Sequence, residues 1–202
     1  MVKNKKLVGL LTLILVQLLV VLVILLSDQA IKNQGTPFRV AIDSTDPVES
    51  YNTNSITFHC KNMVVTTPVL PEGDALQPGE RIYVTYYQDA NGYAVLDKYY
   101  LTMREVPEGV DYLEGEISSV NKITVADNGN KNQYAISLEI PFQTMYFSPW
   151  MVKEILQELS EENRNPKGEY YIDMRQKDGR TVVLNTVLDG VNVKDLVSNT
   201  GA

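Results

Sequence analysis

The 202-residue chain has a formal net charge of −7, one cysteine and one histidine. An acidic chain repels phosphate backbones and anionic headgroups, which argues against nucleic acid as a partner and against peripheral lipid binding beyond a membrane anchor. One cysteine excludes an intramolecular disulfide, so any folded part is held by its hydrophobic core alone.

Residues 1–6 contain Lys3, Lys5 and Lys6 and no acidic residue. Leu7 to Leu26 then reads LVGLLTLILVQLLVVLVILL, apolar on every side of a helical wheel. At about 1.5 Å per residue such a helix spans about 30 Å, a full hydrocarbon crossing. We therefore expect a cytoplasmic tail (1–6), a transmembrane helix (7–26) and a tether (27–37). The lysine asymmetry orients the N-terminus to the cytoplasm and the remainder outside it, as a single-pass protein of the cell membrane. A cleaved signal peptide is the competing reading, but its apolar region is shorter, and Asp28 stands where cleavage before Ala30 needs a small neutral residue. Lipoprotein processing needs a cysteine just after the apolar run, and none is there. Leaving the three tail lysines aside, the projecting part carries −10.

Phe38, Val40 and Ile42 alternate with Arg39, Ala41 and Asp43, the period of a half-buried strand. Ser44 to Asn54 has turn composition. Ile56, Phe58 and Cys60 then alternate with Thr57 and His59. Pro68, Pro71, Gly73, Pro78 and Gly79 mark a loop. Two later stretches resemble each other, one running from Gly79-Glu80 through Asn91-Gly92 to Val95-Leu96, the other from Gly168-Glu169 through Asp178-Gly179 to Val183-Leu184. Each reads as a hairpin whose turn residues tolerate positive φ. The likeness suggests a duplicated β unit, with a β subdomain at 38–120 and a second at 121–202; chance similarity between hairpins is the alternative. A helix near 149–163 starts at Ser148 as N-cap and Pro149, and carries Met151, Val152, Ile155, Leu156 and Leu159 on one face. The expected fold is mainly β with one or two helices, an N-terminal transmembrane helix followed by an antiparallel β-rich domain.

Chemistry-bearing patterns are sparse. His59 and Cys60 are adjacent on a strand and point to opposite faces, which disfavours a Cys/His nucleophile pair, and His and Cys are too few for a zinc site. Asp89-Ala-Asn-Gly and Asp127-Asn-Gly-Asn resemble calcium loops for a few positions, then stop, and read as turns. Tyr83, Tyr86, Tyr87, Tyr93, Tyr99 and Tyr100 cluster on one hairpin, where an exposed row could hold a peptide or glycan, or simply pack across strands. No catalytic, cofactor-binding or metal residue is assigned.

Two family resemblances follow from these residues. Gly79-Glu80-Arg81-Ile82-Tyr83-Val84 after a membrane anchor resembles a strand of the bacterial type I signal peptidases. That likeness implies a Ser nucleophile soon after the anchor and a Lys of lowered pKa; Ser44, Ser50 and Ser55 lie in the right third of the chain, without a Ser-Met-Pro-like context. Asp46-Pro47, Ile56-Thr57-Phe58, the same Gly79–Val84 strand, and Ile140-Pro141-Phe142-Gln143-Thr144-Met145-Tyr146-Phe147 together resemble the GDYXXLXY family of bacterial membrane-anchored proteins. Ser50-Tyr51-Asn52-Thr53 stands where that family has its Gly-Asp-Tyr. This second resemblance implies an envelope protein accompanying a polytopic membrane protein. The expected function is thus a non-enzymatic envelope component, with a ligand-binding β module as the alternative and a Ser/Lys hydrolase behind both.

Overall fold

The apolar run folds as one helix, α1 (Val2–Gln34), in a computed structural model that describes residues 2–52, 54–68, 70, 76–125, 131–160, 165, 167–177 and 179–195. Leu7–Gln34 is long and apolar enough to cross a membrane, by length and composition, and the apolar side chains from Leu7 to Leu26 are exposed all round. The expected tether at 27–37 is corrected. No Gly or Pro interrupts Ser27 to Gln34, so the helix continues about two turns beyond Leu26. It stops at Gly35, whose N–H still reaches the Ile31 carbonyl at 2.8 Å, and the first strand begins at once.

Among the described residues twelve strands follow: β1 (Thr36–Ala41), β2 (Val48–Asn52), β3 (Ser55–Phe58), β4 (Val64–Thr67), β5 (Arg81–Gln88), β6 (Ala94–Tyr100), β7 (Tyr112–Val125), β8 (Lys131–Glu139), β9 (Thr144–Tyr146), then after helix α2 (Pro149–Glu158) β10 (Tyr170–Lys177), β11 (Arg180–Leu188) and β12 (Val191–Asn192). They form three antiparallel sheets, in the orders β1-β10-β11-β12, β2-β3-β9 and β4-β8-β7-β5-β6. The fold is therefore β-rich behind an N-terminal apolar helix, as the alternating patterns predict. The five-stranded sheet curls until its end strands β4 and β6 approach, giving a barrel-like sheet close to closure. The Tyr99 hydroxyl on β6 bonds Thr67 on β4 across that seam.

The subdomain division at residue 120 is a second correction. β7 runs straight through it, and β1 pairs with β10, β3 with β9 and β4 with β8. Every sheet thus mixes the two expected halves. Phe38, Ile56, Ile82, Ile117, Ile155 and Ile172 belong to one buried cluster that draws on all three sheets and α2. The turn expected from Ser44 to Asn54 is also half strand, since β2 pairs with β3.

Both expected hairpins form. In the first, Gly92 alone takes positive φ (81°), while Asp89 Oδ1 accepts the N–H groups of Asn91 and Tyr93, making the calcium-like Asp89 segment a turn. In the second, Gly179 has φ 75°, while Asp178 and the Asp127–Asn130 segment lie outside the described residues. α2 has Pro149 in its first turn and buries Val152 and Ile155, and its cap position is Leu159 rather than a residue near 163. Ser148 stands at the N-cap, but its hydroxyl makes no capping hydrogen bond.

Candidate functional site

A cavity of about 730 Å³ lies between the β2–β3 hairpin and the β7–β8 ladder. Its position follows from strand pattern. β7 reads Tyr-Leu-Glu-Gly-Glu-Ile, so Glu114 and Glu116 share a face two residues apart. Antiparallel register then sets Glu116 directly opposite Glu139 of β8, and Arg81 of β5 opposite Glu116. Arg81 Nη1 pairs with Glu114 Oε1 at 3.2 Å, and among the described residues no ion pair neutralises Glu116 or Glu139. Like charges directly opposed across strands repel, so this wall favours a cationic occupant over an anionic one.

The opposite wall carries His59 and Cys60. His59 Nδ1 is 3.2 Å from Asp46 Oδ2 and Nε2 is 3.6 Å from Glu49 Oε2, so each ring nitrogen faces a carboxylate. The Cys60 thiol instead meets Gln143 and the Phe58 carbonyl, the latter at 3.7 Å, and burial pushes its pKa up to about 12. Such a thiol is not a nucleophile near neutral pH. The two residues thus line one cleft but engage different partners, in keeping with their alternation along the strand. Gln143 is the organising side chain here. Its Oε1 accepts from Ile140 N–H and its backbone carbonyl from Phe58 N–H, which fastens the Ile140–Gln143 turn to β3. Among the described residues, no three His, Cys, Asp or Glu side chains are grouped to hold a metal ion.

Of the candidate serines, Ser55 is buried, and the side chain of Ser50 lies outside the described residues. Ser44 does meet a lysine: Lys61 Nζ donates to Ser44 Oγ at 3.4 Å. Two features make this a poor nucleophile pair. Lys61 is exposed and ion-paired to Asp43 Oδ1 at 3.7 Å, whereas a lysine base needs a desolvated site. Ser44 and Lys61 also do not line the cavity. Asp43 is held below the usual carboxylate range chiefly by the Thr45 backbone N–H and hydroxyl.

The tyrosines do not form one concave row. Tyr86 is buried, Tyr83, Tyr93, Tyr99 and Tyr100 are half-buried, and Tyr87 alone is open at 57% exposure. Tyr83 packs edge-on to Tyr112, and Tyr93 to Tyr171. None of the six lines the cavity.

Contacts that sequence reasoning did not anticipate join α1 to the domain. Arg180 Nη2 pairs with Asp28 Oδ1 at 2.9 Å and Arg180 also donates to Ser27 Oγ, Lys177 Nζ donates to Gln34 Oε1 at 2.6 Å, and Ile31 is buried. The only signal in the sequence is the apolar Ile31 inside the polar stretch after the span. Scans against protein-family models and searches of curated proteins and of solved structures return no match to this chain.

Proposed function

We propose that the chain is a single-pass membrane protein, N-terminus in the cytoplasm and β domain outside it, acting as a non-enzymatic envelope component that docks onto an integral membrane partner. The observation that carries this reading is the latch between α1 and the β10–β11 hairpin. A helix that passes unbroken from the apolar span into a pinned contact holds the domain in a set orientation beside the membrane, and preorganisation of that kind lowers the cost of meeting a membrane neighbour. The likeness to the GDYXXLXY family is part of the proposal. Its matched residues are framework here: Ile56, Phe58, Ile82 and Val84 are core, and Gly79 takes φ 92°.

The test is crosslinking in intact cells from photoreactive residues placed on the exposed Tyr87, Tyr146 and Trp150, followed by mass spectrometry. A reproducible integral membrane partner is expected; monomer alone would sink the docking reading. A reporter fused after Ala202 should behave as extracytoplasmic. A second reading, a ligand-binding module, is favoured by the 730 Å³ cleft with its opposed Glu116 and Glu139. It predicts saturable binding of a basic peptide that is lost in a Glu116→Gln, Glu139→Gln double variant.

A further inference from the structure

The β10–β11 hairpin descends along the last two turns of α1. Gln176 is opposite Thr36, just past the helix end, and Lys177 bonds Gln34. Three residues further on, Arg180 reaches Ser27 and Asp28, immediately beyond the apolar run. The hairpin tip therefore stands at the level where the span leaves the hydrocarbon. Beside it lies the loop that joins β6 to β7. The Tyr112 hydroxyl, at the end of that loop, packs against Gly179, and Gln176 Nε2 donates to the Tyr112 carbonyl. A cavity of about 560 Å³ is lined jointly by Gln34, Lys177 and Gly179 and by Met103, Pro107 and Val110 of the loop.

Three large apolar side chains of this one loop face solvent: Leu101 at 39%, Met103 at 56% and Val110 at 41% exposure. From Leu26 to Gln34 the helix rises about 12 Å, and the headgroup layer on each side of a bilayer is about 5–8 Å thick. The loop shares its cavity with Gln34 and with Lys177 and Gly179 of the hairpin tip, so it stands beside the end of the α1 segment that emerges through the headgroup layer.

We propose that the Leu101–Val110 loop is a second membrane contact, seating Met103 and Val110 in the interface of the same bilayer that α1 crosses. The inference rests on the reading of α1 as a membrane span. Its support is continuity: the loop packs on the hairpin that is itself pinned to the exit point of the span. The lipid it fits is zwitterionic. Glu105, Glu108 and Asp111 lie in or beside the loop, against Arg104 alone, and would repel an anionic surface. Seating of this kind makes the membrane-proximal face of the domain unavailable to a soluble partner and leaves its sides and top for docking.

The full chain carries one tryptophan, Trp150, which serves as an internal reference. Thr186, six residues and about 20 Å up β11 from Arg180, bonds Met145 of β9, the strand that leads into α2 and Trp150. Full-length Trp150→Phe/Met103→Trp and Trp150→Phe/Val110→Trp variants are reconstituted in phosphatidylcholine vesicles brominated on the upper acyl chain, with the unaltered protein alongside. Interfacial side chains sit about 5–10 Å into the headgroup and acyl boundary, so roughly twofold quenching is expected at positions 103 and 110, with Trp150 unquenched. Vesicle flotation is read on the same samples. Protein that floats with the vesicles but shows no more quenching at 103 and 110 than at Trp150 overturns the loop contact and leaves the span intact. Protein that does not float overturns the span and the loop contact with it.

Discussion

The hairpins β5–β6 and β10–β11 begin with the same Gly-Glu pair, turn on a positive-φ glycine and return through Val-Leu, yet they are used differently. Both carry a bulge with the extra residue on the return strand: Val84 and Tyr86 pair with Tyr99 and Leu96, Asp173 and Met174 with Asn185 and Val183. The third strand completing each set differs. It is β7, later in the chain, for the first hairpin and β1, earlier in the chain, for the second. A simple tandem copy does not produce that exchange. The matching glycines also differ: Gly79 is needed for φ 92°, whereas at Gly168 a Cβ would run into the Asp189 carboxylate and the Tyr170 ring. Similar hairpin sequences thus specify a local turn and bulge, while tertiary partners decide their place. The first hairpin closes the barrel-like sheet, and the second carries the latch to α1.

The comparison breaks most visibly if the two hairpins do not share a core. Ile82 of β5 and Ile172 of β10 are both fully buried in one cluster. Ile82→Ala and Ile172→Ala should each cost about 2–5 kcal/mol through lost contacts and a cavity. Denaturant unfolding followed by circular dichroism should keep one cooperative β transition in either variant. Two separated transitions would mean that the hairpins belong to independent units.

A smaller effect tests the polar joint between them. The Tyr86 hydroxyl on β5 donates to Gln176 Oε1 on β10 at 2.7 Å, and burial raises the Tyr86 pKa, which keeps the phenol protonated as a donor. Tyr86→Phe leaves a buried acceptor without that donor, so about 1–3 kcal/mol of stability should be lost. Gln176→Leu also removes the bond to the Tyr112 carbonyl, so the coupling is read from a double-mutant cycle, in which Tyr86→Phe should cost less in the Gln176→Leu background than alone. An equal cost in both backgrounds would show that the bond does not couple the hairpins.

The turn glycines sharpen the contrast further. Gly92 has open space around it, so Gly92→Ala should cost only the positive-φ strain of about 1 kcal/mol. At Gly179 a Cβ would collide with the Tyr112 hydroxyl, so Gly179→Ala should cost more in the same unfolding measurement. Equal costs would mean that the β6–β7 loop does not pack on the second turn.

What the sequence disclosed follows the range of the forces involved. The long apolar helix, the turns at Asn91-Gly92 and Gly179, and α2 were legible because apolar runs, turn residues and helical spacing act over a few neighbours. The helix through Ser27 to Gln34 was misread as a tether because polar residues lacking Gly and Pro fit either state, and docking on the hairpin decides between them. The pairings β1–β10, β3–β9 and β4–β8 join distant segments and leave no local mark. The cleft was half legible: alternation puts Glu114 and Glu116 on one face, but only register brings Glu139 opposite. Ser44 was singled out, while its lysine partner arrives through the β3–β4 turn, where Asn62 takes φ 61°.

The smallest expected effect bears on the second hairpin's own role. Arg180 and Asp28 are both substantially exposed, and exposed ion pairs contribute little to stability because water and salt screen them. Arg180→Ala should therefore leave the unfolding curve unchanged within error. It also removes the donors to Ser27 and Asp28, so among the described contacts the α1 extension keeps buried Ile31 and the Lys177–Gln34 bond, both higher on the helix. Spin labels on α1 at Lys32 and on the domain at Lys98 should give a single narrow distance distribution in the unaltered protein and a broader one in the variant. Lys98 is exposed on β6, away from the latch. The equivalent change at the first hairpin, Gln88→Ala, removes a side-chain bond to the Pro37 carbonyl, but β1 stays paired with β10, so the distribution should remain narrow. Broadening by both variants, or by neither, would mean that the hairpin beside α1 has no special part in setting the domain's orientation.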